Sequence, residues 1–300
     1  MLDVRKLRLL RELAHRGTIA AVAEALAYTP SAVSQQLTAL ERETGVPLLE
    51  RTGRRVTLTP AAQGLVEHTE TILALLAEAA TDLENAASAL SGVLRLGAFP
   101  TAIPAVVTPA IVALSTEHPA LGLTVVELDP ASVPDGLRTE AVDIALVHEY
   151  DHVPAMPHPG LHTEPLLEET VYLATRHRHP LPALRNTPWI AGTPGTLCHT
   201  LTIRACEAAG FAPQIRHHAD DFTTVLALVA ANQGSAFVPQ LALTAPPSNV
   251  TLTPLPIQRR THLAYRQGTA THPAIKAARA ALQHAANAGT GERPQVVGAQ

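Results

Sequence analysis

Thr29-Pro30-Ser31-Ala32-Val33-Ser34-Gln35-Gln36-Leu37-Thr38-Ala39-Leu40-Glu41-Arg42 is the stretch on which the reading of the chain turns. Threonine is a good helix N-cap, and proline at the first helical position loses nothing, because that N–H has no partner in a helix. The spacing puts Ala32, Val33, Leu37 and Leu40 on one side of the helix. Ser31, Ser34, Gln35, Thr38 and Arg42 lie on the other. A merely solvated face more often carries Glu and Lys. Glutamine pairs with adenine edges, serine with bases or phosphate, and arginine with guanine or phosphate, so this face suits a major groove. Gln36 sits nearer the seam with neighbouring helices and reads as structural.

Upstream, Leu7, Leu10, Leu13 and Ala14 make residues 4–16 an amphipathic helix that Gly17 ends. Thr18 caps a second helix with Ala21, Val22, Ala25 and Leu26 inward, and Tyr28-Thr29-Pro30 breaks it. Two helices joined by a short turn, the second with a polar face, predict a helix-turn-helix. Downstream, Val46–Arg51, the turn Thr52-Gly53-Arg54-Arg55 and Val56–Pro60 read as two strands with a basic tip, a wing. Arg51, Arg54 and Arg55 are candidate phosphate contacts; the alternative is an ordinary solvated turn. Residues 1–60 hold nine Lys/Arg against six Asp/Glu, net +3, whereas the remainder holds 13 against 20, net −7. A basic module on an acidic body is the asymmetry expected when one end meets phosphate.

These residues carry a resemblance. Ala23-x-x-Leu26-x-x-Thr29-x-x-Ala32-x-Ser34-x-Gln36-Leu37-x-x-Leu40-Glu41, then Gly45, Leu48-Leu49-x-Arg51 and Leu58-Thr59, resembles the bacterial LysR-type transcriptional regulators. The likeness is close over the first 65 residues or so and holds at fold level beyond. Ala62 departs from a frequent glycine of the family, which touches only the start of the next helix. The resemblance implies an α/β chain: a winged helix-turn-helix (residues 1–59), a linker and dimerisation helix (60–90) and a two-lobed, periplasmic-binding-protein-like effector domain. Lobe I is expected at 91–163 with 264–287, lobe II at 164–263, and a disordered tail at 288–300. It implies double-stranded DNA, a small-molecule effector and RNA polymerase as partners, with homodimers that also assemble as tetramers. The candidate DNA-contacting set is Thr29, Pro30, Ser31, Ser34, Gln35, Thr38, Arg42, Arg51, Arg54 and Arg55.

The linker has its own signal. Leu65, Ile72, Ala79 and Ala86 repeat every seven residues, as do Thr69, Leu76, Leu83 and Leu90, offset by four. That is an a/d seam, and a partner helix from a second copy is its natural cover. The alternative is a seam packed on its own chain. Beyond Gly92, strands at 93–98, 123–128, 143–147, 169–174, 188–191, 214–218, 235–238 and 262–266 alternate with helices, which predicts a parallel sheet. A Pro- and His-rich stretch at 152–165 marks a junction. A ligand cleft is expected at the carboxyl ends of the strands, between the lobes. Its candidate residues are Phe99, Pro100, Thr101, His148, Thr193, Thr196 and Asp221. Helix N-termini with hydroxyls favour a small organic anion. The threonines serve equally well as plain caps, and Asp220 and Asp221 would repel an anion or greet an amine.

Other chemistry finds little support. Cys198 and Cys206 lie on one expected helix, about 12 Å apart by helical rise, beyond the roughly 7 Å that a disulfide allows. Neither the 15 histidines nor any other group shows metal-ligand spacing, and no cofactor is expected. No nucleophile elbow, phosphate-binding loop or dinucleotide fingerprint occurs, so an enzyme is not expected. The rival reading is a small-molecule binder or enzyme built on the two-lobed body, with the N-terminal helices serving only assembly. Residues 1–16 interleave Arg with Leu rather than forming an apolar export signal, and no run is long enough to span a bilayer. The chain reads as soluble and cytoplasmic, with no membrane partner. Gln35→Ala is expected to weaken specific DNA binding more than non-specific binding, and Arg54→Ala to weaken both and flatten the salt dependence. Gel shifts over a salt series, on specific and random duplexes, check this.

Overall fold

Asp3 opens the first element by accepting the Arg5 N–H at 2.8 Å, and helix α1 runs Val4–Arg16. Gly17, at φ 73°, takes the left-handed turn that ends it. The computed structural model describes residues 2–52, 55–85, 90–153 and 158–289. Thr18 caps α2 (Ile19–Ala25), and Thr29 caps α3 (Pro30–Thr44), its Oγ1 accepting the Ala32 N–H at 3.2 Å. Leu7, Leu10, Leu13, Val22, Val33, Leu37, Leu40 and Leu48 form the core between these three helices. Strands β1 (Leu49–Thr52) and β2 (Arg55–Leu58) pair antiparallel as the wing. Glu41 Oε1 accepts the N–H groups of both Leu48 and Leu49 at 3.0 Å, which ties the wing to α3.

Helix α4 (Pro60–Asn85) is about 39 Å long at 1.5 Å per residue. Its seven-residue seam divides. Leu65 and Ile72 pack on the DNA-binding core, with Thr69 buried beside them and donating to the Leu65 carbonyl at 2.7 Å. Leu76, Ala79 and Leu83 stay exposed, Leu76 by 49% and Leu83 by 78%, beside exposed Leu75. The expectation of one continuous intermolecular seam is therefore corrected: its first half is covered by the chain itself. Leu90 packs on the body, and Ala86 lies outside the described residues.

In the body follow β3 (Gly92–Ala98), a wide helical turn leading into α5 (Thr108–Glu117), β4 (Leu121–Glu127), α6 (Val133–Arg138) and β5 (Ile144–Tyr150). Next come β6 (Leu161–Thr175), β7 (Pro188–Ala191), α7 (Leu197–Ala208), β8 (Gln214–His218) and α8 (Phe222–Ala230). β9 (Ala236–Pro239), β10 (Thr251–Arg266) and α9 (Pro273–Gly289) complete it. The main sheet has the order β4-β3-β5-β10-β6-β9, with β7 and β8 forming a separate parallel pair.

The all-parallel expectation is corrected. β3 runs parallel to β4 and β5, but β10 is antiparallel to β5 and β6, and β6 to β9. β6 and β10 are single strands of 15 and 16 residues that run through both lobes. The shorter expected strands covered only parts of them. Pro165, Pro254 and Pro256 broke the pattern in sequence; in the sheet, register shifts at Pro254/Gln258 and Thr261/His262 absorb the irregularity. α9 extends to Gly289, past the expected start of a disordered tail, and residues 290–300 lie outside the described ones.

In lobe I, Leu96, Ile144, Leu146 and Leu263 pack under α5 and α9 through Ala110, Leu114, Ile275 and Leu282. The other sheet face buries Val133 and Leu137 of α6 against Ala145 and Ala264. Lobe II closes around Trp189, Leu173, Leu201 and Phe237.

The DNA-binding domain and α4 rest on lobe I. Fully buried Glu12 takes Arg11 Nη2 at 2.6 Å and Arg16 Nε at 2.9 Å. Arg16 Nη1 continues to Asp135 of α6 at 3.2 Å, and Arg8 Nη2 reaches Glu140 at 2.8 Å. Two glycines of lobe I, Gly160 (φ 76°) and Gly268 (φ 84°), bring backbone directly onto α4; a methyl at either would overlap the Glu70 carboxylate or the Ala74 carbonyl. Burial alone would raise the Glu12 pKa, but Arg11 and Arg16 overcome it and hold the carboxyl below its ordinary value of 4.5. Its contribution to stability is then present above pH 4.5 and fades as pH falls through the lowered pKa. Glu12→Ala leaves two guanidiniums without their buried partner and is expected to cost about 3–5 kcal/mol. Urea denaturation at pH 7 measures this, and the gap between the two proteins should narrow on acidification below pH 4.5.

Candidate functional site

Along α3, Ser31, Gln35 and Arg42 are exposed and Ser34 and Thr38 are half-buried, while Val33, Leu37 and Leu40 are wholly inside. The polar residues fall on successive turns, so they share one face. Thr29 and Pro30 lie exposed at its N-terminus. Gln36 is exposed too, which corrects its assignment to the helix seam; at this position α3 meets solvent, not a neighbour. Arg51 and Arg55 belong to the wing strands, opposite Val56 and Thr52, and Arg54 lies outside the described residues.

Between the lobes is a cavity of about 380 Å³. The fold brings six of the seven expected cleft residues into its wall: Phe99 and Thr101 after β3 with Pro100 between them, His148 of β5, and Thr196 and Asp221 at the starts of α7 and α8. Thr193 is not in the wall. Its N–H and hydroxyl both donate to Asp220, at 2.8 and 2.6 Å. Thr196 and Asp221 are caps: Thr196 Oγ1 accepts the His199 N–H, and Asp221 accepts the N–H groups of Thr223 and Thr224. The donors expected to receive an organic anion are thus already engaged within the protein.

The centre of the site is a pair that the sequence reading missed. Arg259 of β10 and Glu169 of β6 face each other in register where the two strands cross between lobes, 1% and 5% exposed. Arg259 donates to Glu169 through Nε at 2.6 Å, with Nη2 also 2.5 Å from the carboxylate. Nη2 donates to Thr101 Oγ1 at 3.0 Å, and the guanidinium lies over the Phe99 ring at 4.9 Å. The other Glu169 oxygen accepts the Leu241 N–H from lobe II at 2.6 Å. Burial opposes the charge on Arg259, and Glu169 more than restores it, leaving the pKa above its usual value.

His148 packs edge-on between Phe99 (4.6 Å) and Tyr150 (5.2 Å). Burial first and Arg259 second push its pKa well below the ordinary histidine value, so the ring is neutral at pH 7. Burial also raises the Tyr150 phenol, which sits 3.5 Å from Cys198 Sγ. The Cys198 thiol is raised by burial, and that of Cys206 is pushed up to about 12. Both sit on α7 and are protonated thiols at neutral pH. Tyr150 and Cys198 carried no motif; only the partner strands identify them.

On the far side of β5 lies a second, more apolar cavity of about 590 Å³, walled by Val133 and Pro134 of α6, Val147, Leu161, Leu197 and Ala264. His148 and Pro130 belong to both walls. Among the described residues, no three His, Cys, Asp or Glu side chains converge as metal ligands. No described helix is long and apolar enough to cross a membrane.

A winged helix-turn-helix carried by one long helix on a two-lobed body with an interlobe cavity defines the class of ligand-responsive DNA-binding transcription regulators. Comparison with known proteins agrees. Residues 4–63 match the model of the bacterial regulatory helix-turn-helix proteins of the lysR family, and residues 87–287 match the LysR substrate binding domain. The chain belongs to the LysR family of transcription regulators. It is 31% identical, over 80% of its own length and 81% of the relative's, to a probable hydrogen peroxide-inducible genes activator of Streptomyces viridosporus. It is 26% identical to the transcriptional dual regulator GltC of Bacillus subtilis, over 80% of its own length and 81% of GltC. Among solved structures it is similar to a Corynebacterium glutamicum OxyR C206 mutant, with a TM-score of 0.57 and 26% identity over 96% of this chain and 93% of that one.

Glu169→Gln keeps the shape but removes the charge that balances buried Arg259. It is expected to cost about 3–5 kcal/mol, and Thr101→Val about 1.5–3 kcal/mol, because only one acceptor of the buried guanidinium is lost. Chemical denaturation of the two variants checks the order.

Proposed function

We propose that α3 lies in the major groove, with Ser31, Ser34, Gln35, Thr38 and Arg42 against base edges and phosphates, and Thr29 and Pro30 against the backbone at its N-terminus. Arg51, Arg54 and Arg55 of the wing meet phosphate. The observation that carries this reading is the exposed hydroxyl and amide face of α3 over a fully apolar interior side. The working division is 1–59 for the DNA-binding domain, 60–90 for the linker, 91–163 with 264–287 for lobe I and 164–263 for lobe II. The chain acts in the cytoplasm, where its DNA is, and is not an enzyme.

Two copies pair through the exposed stripe Leu76, Ala79 and Leu83 of α4, and the two-fold dimer meets paired half-sites. A small molecule in the interlobe cavity is the effector. It changes the angle between lobes and the spacing of the two heads, and through them DNA bending and contact with RNA polymerase. α6 offers one route. Its first residues, Val133 and Pro134, wall the second cavity, which shares His148 and Pro130 with the effector cavity, while Asp135 holds Arg16 of the DNA-binding domain.

The test is a gel shift on the DNA upstream of the chain's own gene, repeated over salt concentration. Specific binding is expected to exceed random-duplex binding by about a thousandfold or more. Equal affinity for both would overturn the reading. Leu76→Asp with Leu83→Asp is expected to give monomers by light scattering and to weaken operator binding by about tenfold or more.

A further inference from the structure

We infer that the interlobe cavity takes a small organic cation, a metabolite bearing a protonated amine or guanidine, and that His148 receives one of its N–H groups. This rests on the proposal that the cavity is the effector site.

The walls carry the carboxylates of Glu127, Asp129, Asp220 and Asp221 against one cation, Arg259. Arg259 is balanced by Glu169, so with His148 neutral the four wall carboxylates leave the site at −4. Arg259 is also the one group there built to grip a carboxylate, and its Nε and Nη2 are already taken by Glu169 and Thr101. The helix N-termini offer no better. Asp221 already occupies the first turn of α8, Thr196 that of α7, and Asp220 the Thr193 N–H. An anion entering here meets four carboxylates, with few donors such as the His148 N–H against them; a cation meets acceptors with lone pairs to spare, since a carboxylate has about four sites.

His148 is the independent sign. It is 6% exposed, stands in the cavity wall, and neither ring nitrogen has a protein partner. Buried polar atoms are nearly always paired, so a nitrogen left open beside a cavity points to a partner that comes from outside. Held neutral by burial and by Arg259, the ring keeps one nitrogen as an acceptor. Phe222 adds an aromatic wall of the kind that favours cations. The carboxylates do not converge as a metal cage, which selects a spread-out organic cation over a metal ion. A cavity of about 380 Å³ lies at the small end for such sites and suits a metabolite.

The full-length protein is tested by thermal shift and calorimetry, at fixed 0.15 M salt, against 1,5-diaminopentane, agmatine and arginine amide. Glutarate and benzoate serve as anions and 1,5-pentanediol as the uncharged control. At least one cation is expected to bind saturably, with none of the other three doing so. Asp129→Asn with Asp220→Asn, and separately His148→Phe, should each weaken it by about tenfold or more; retained operator binding in a gel shift shows that the variants fold. Binding of glutarate or benzoate that His148→Phe abolishes would keep the effector site and overturn the cation. Cation binding unchanged in both variants would place it elsewhere and overturn the inference. Silence from all three cations overturns it as well, while the gel shift separately decides whether the chain is a regulator.

Discussion

A buried arginine cannot be left alone, and Arg259 is the point at which that rule organises the body. Its charge forces a carboxylate to the facing position on the neighbouring strand, and Glu169 is there. The pair then reaches outward, to Thr101 and Phe99 on one lobe and to the Leu241 N–H on the other. Both lobes are therefore fastened to the same two strands at the same two residues. Because the pair is closed on itself, the cavity beside it keeps its carboxylates unbalanced, and the electrostatics of the cleft follow from how the hinge is held.

The DNA-binding end was far more legible in the sequence than the body. Thr18, Thr29, Gly17 and Gly45 cap or terminate helices in the places their chemistry demands, and the Leu37–Leu40 side is apolar without interruption. Local rules suffice for such short helices. β6 and β10 were legible only in part, since a strand whose two halves serve different lobes changes environment midway and shows no single alternation. Arg259 and Glu169 are 90 residues apart, and nothing local in either predicts the other. The cleft threonines stayed open between donor and cap in the sequence, because a sequence shows that a hydroxyl exists, not whether Asp220 or a helix end has engaged it. The α4 stripe misled in a similar way: its period was real, but α1 and the rest of the head cover its first half.

One short helix joins the second cavity to the DNA-binding domain. α6 is a six-residue helix, about 9 Å of rise, in which Val133 and Pro134 wall the second cavity and the next residue, Asp135, binds Arg16 and Arg138. Arg16 shares Asp135 with Arg138, and Glu12 behind it is wholly enclosed. A displacement of α6 acts through half-exposed Asp135 on Arg16, and through Arg16 on the buried Glu12–Arg11 pair, whose balance tolerates little misalignment.

The contact of lobe I with α4 has a further property. At Gly268 main chain meets the backbone of the helix, at the Ala74 carbonyl, with no side chain between them. Side chains cushion an interface, since they rotate and slide as two bodies drift apart. Bare backbone has no such travel: the surfaces touch or they part, and water enters at once. At that one point a change in the angle between helix and lobe registers as contact or as none, while the ion pairs around it can follow the movement.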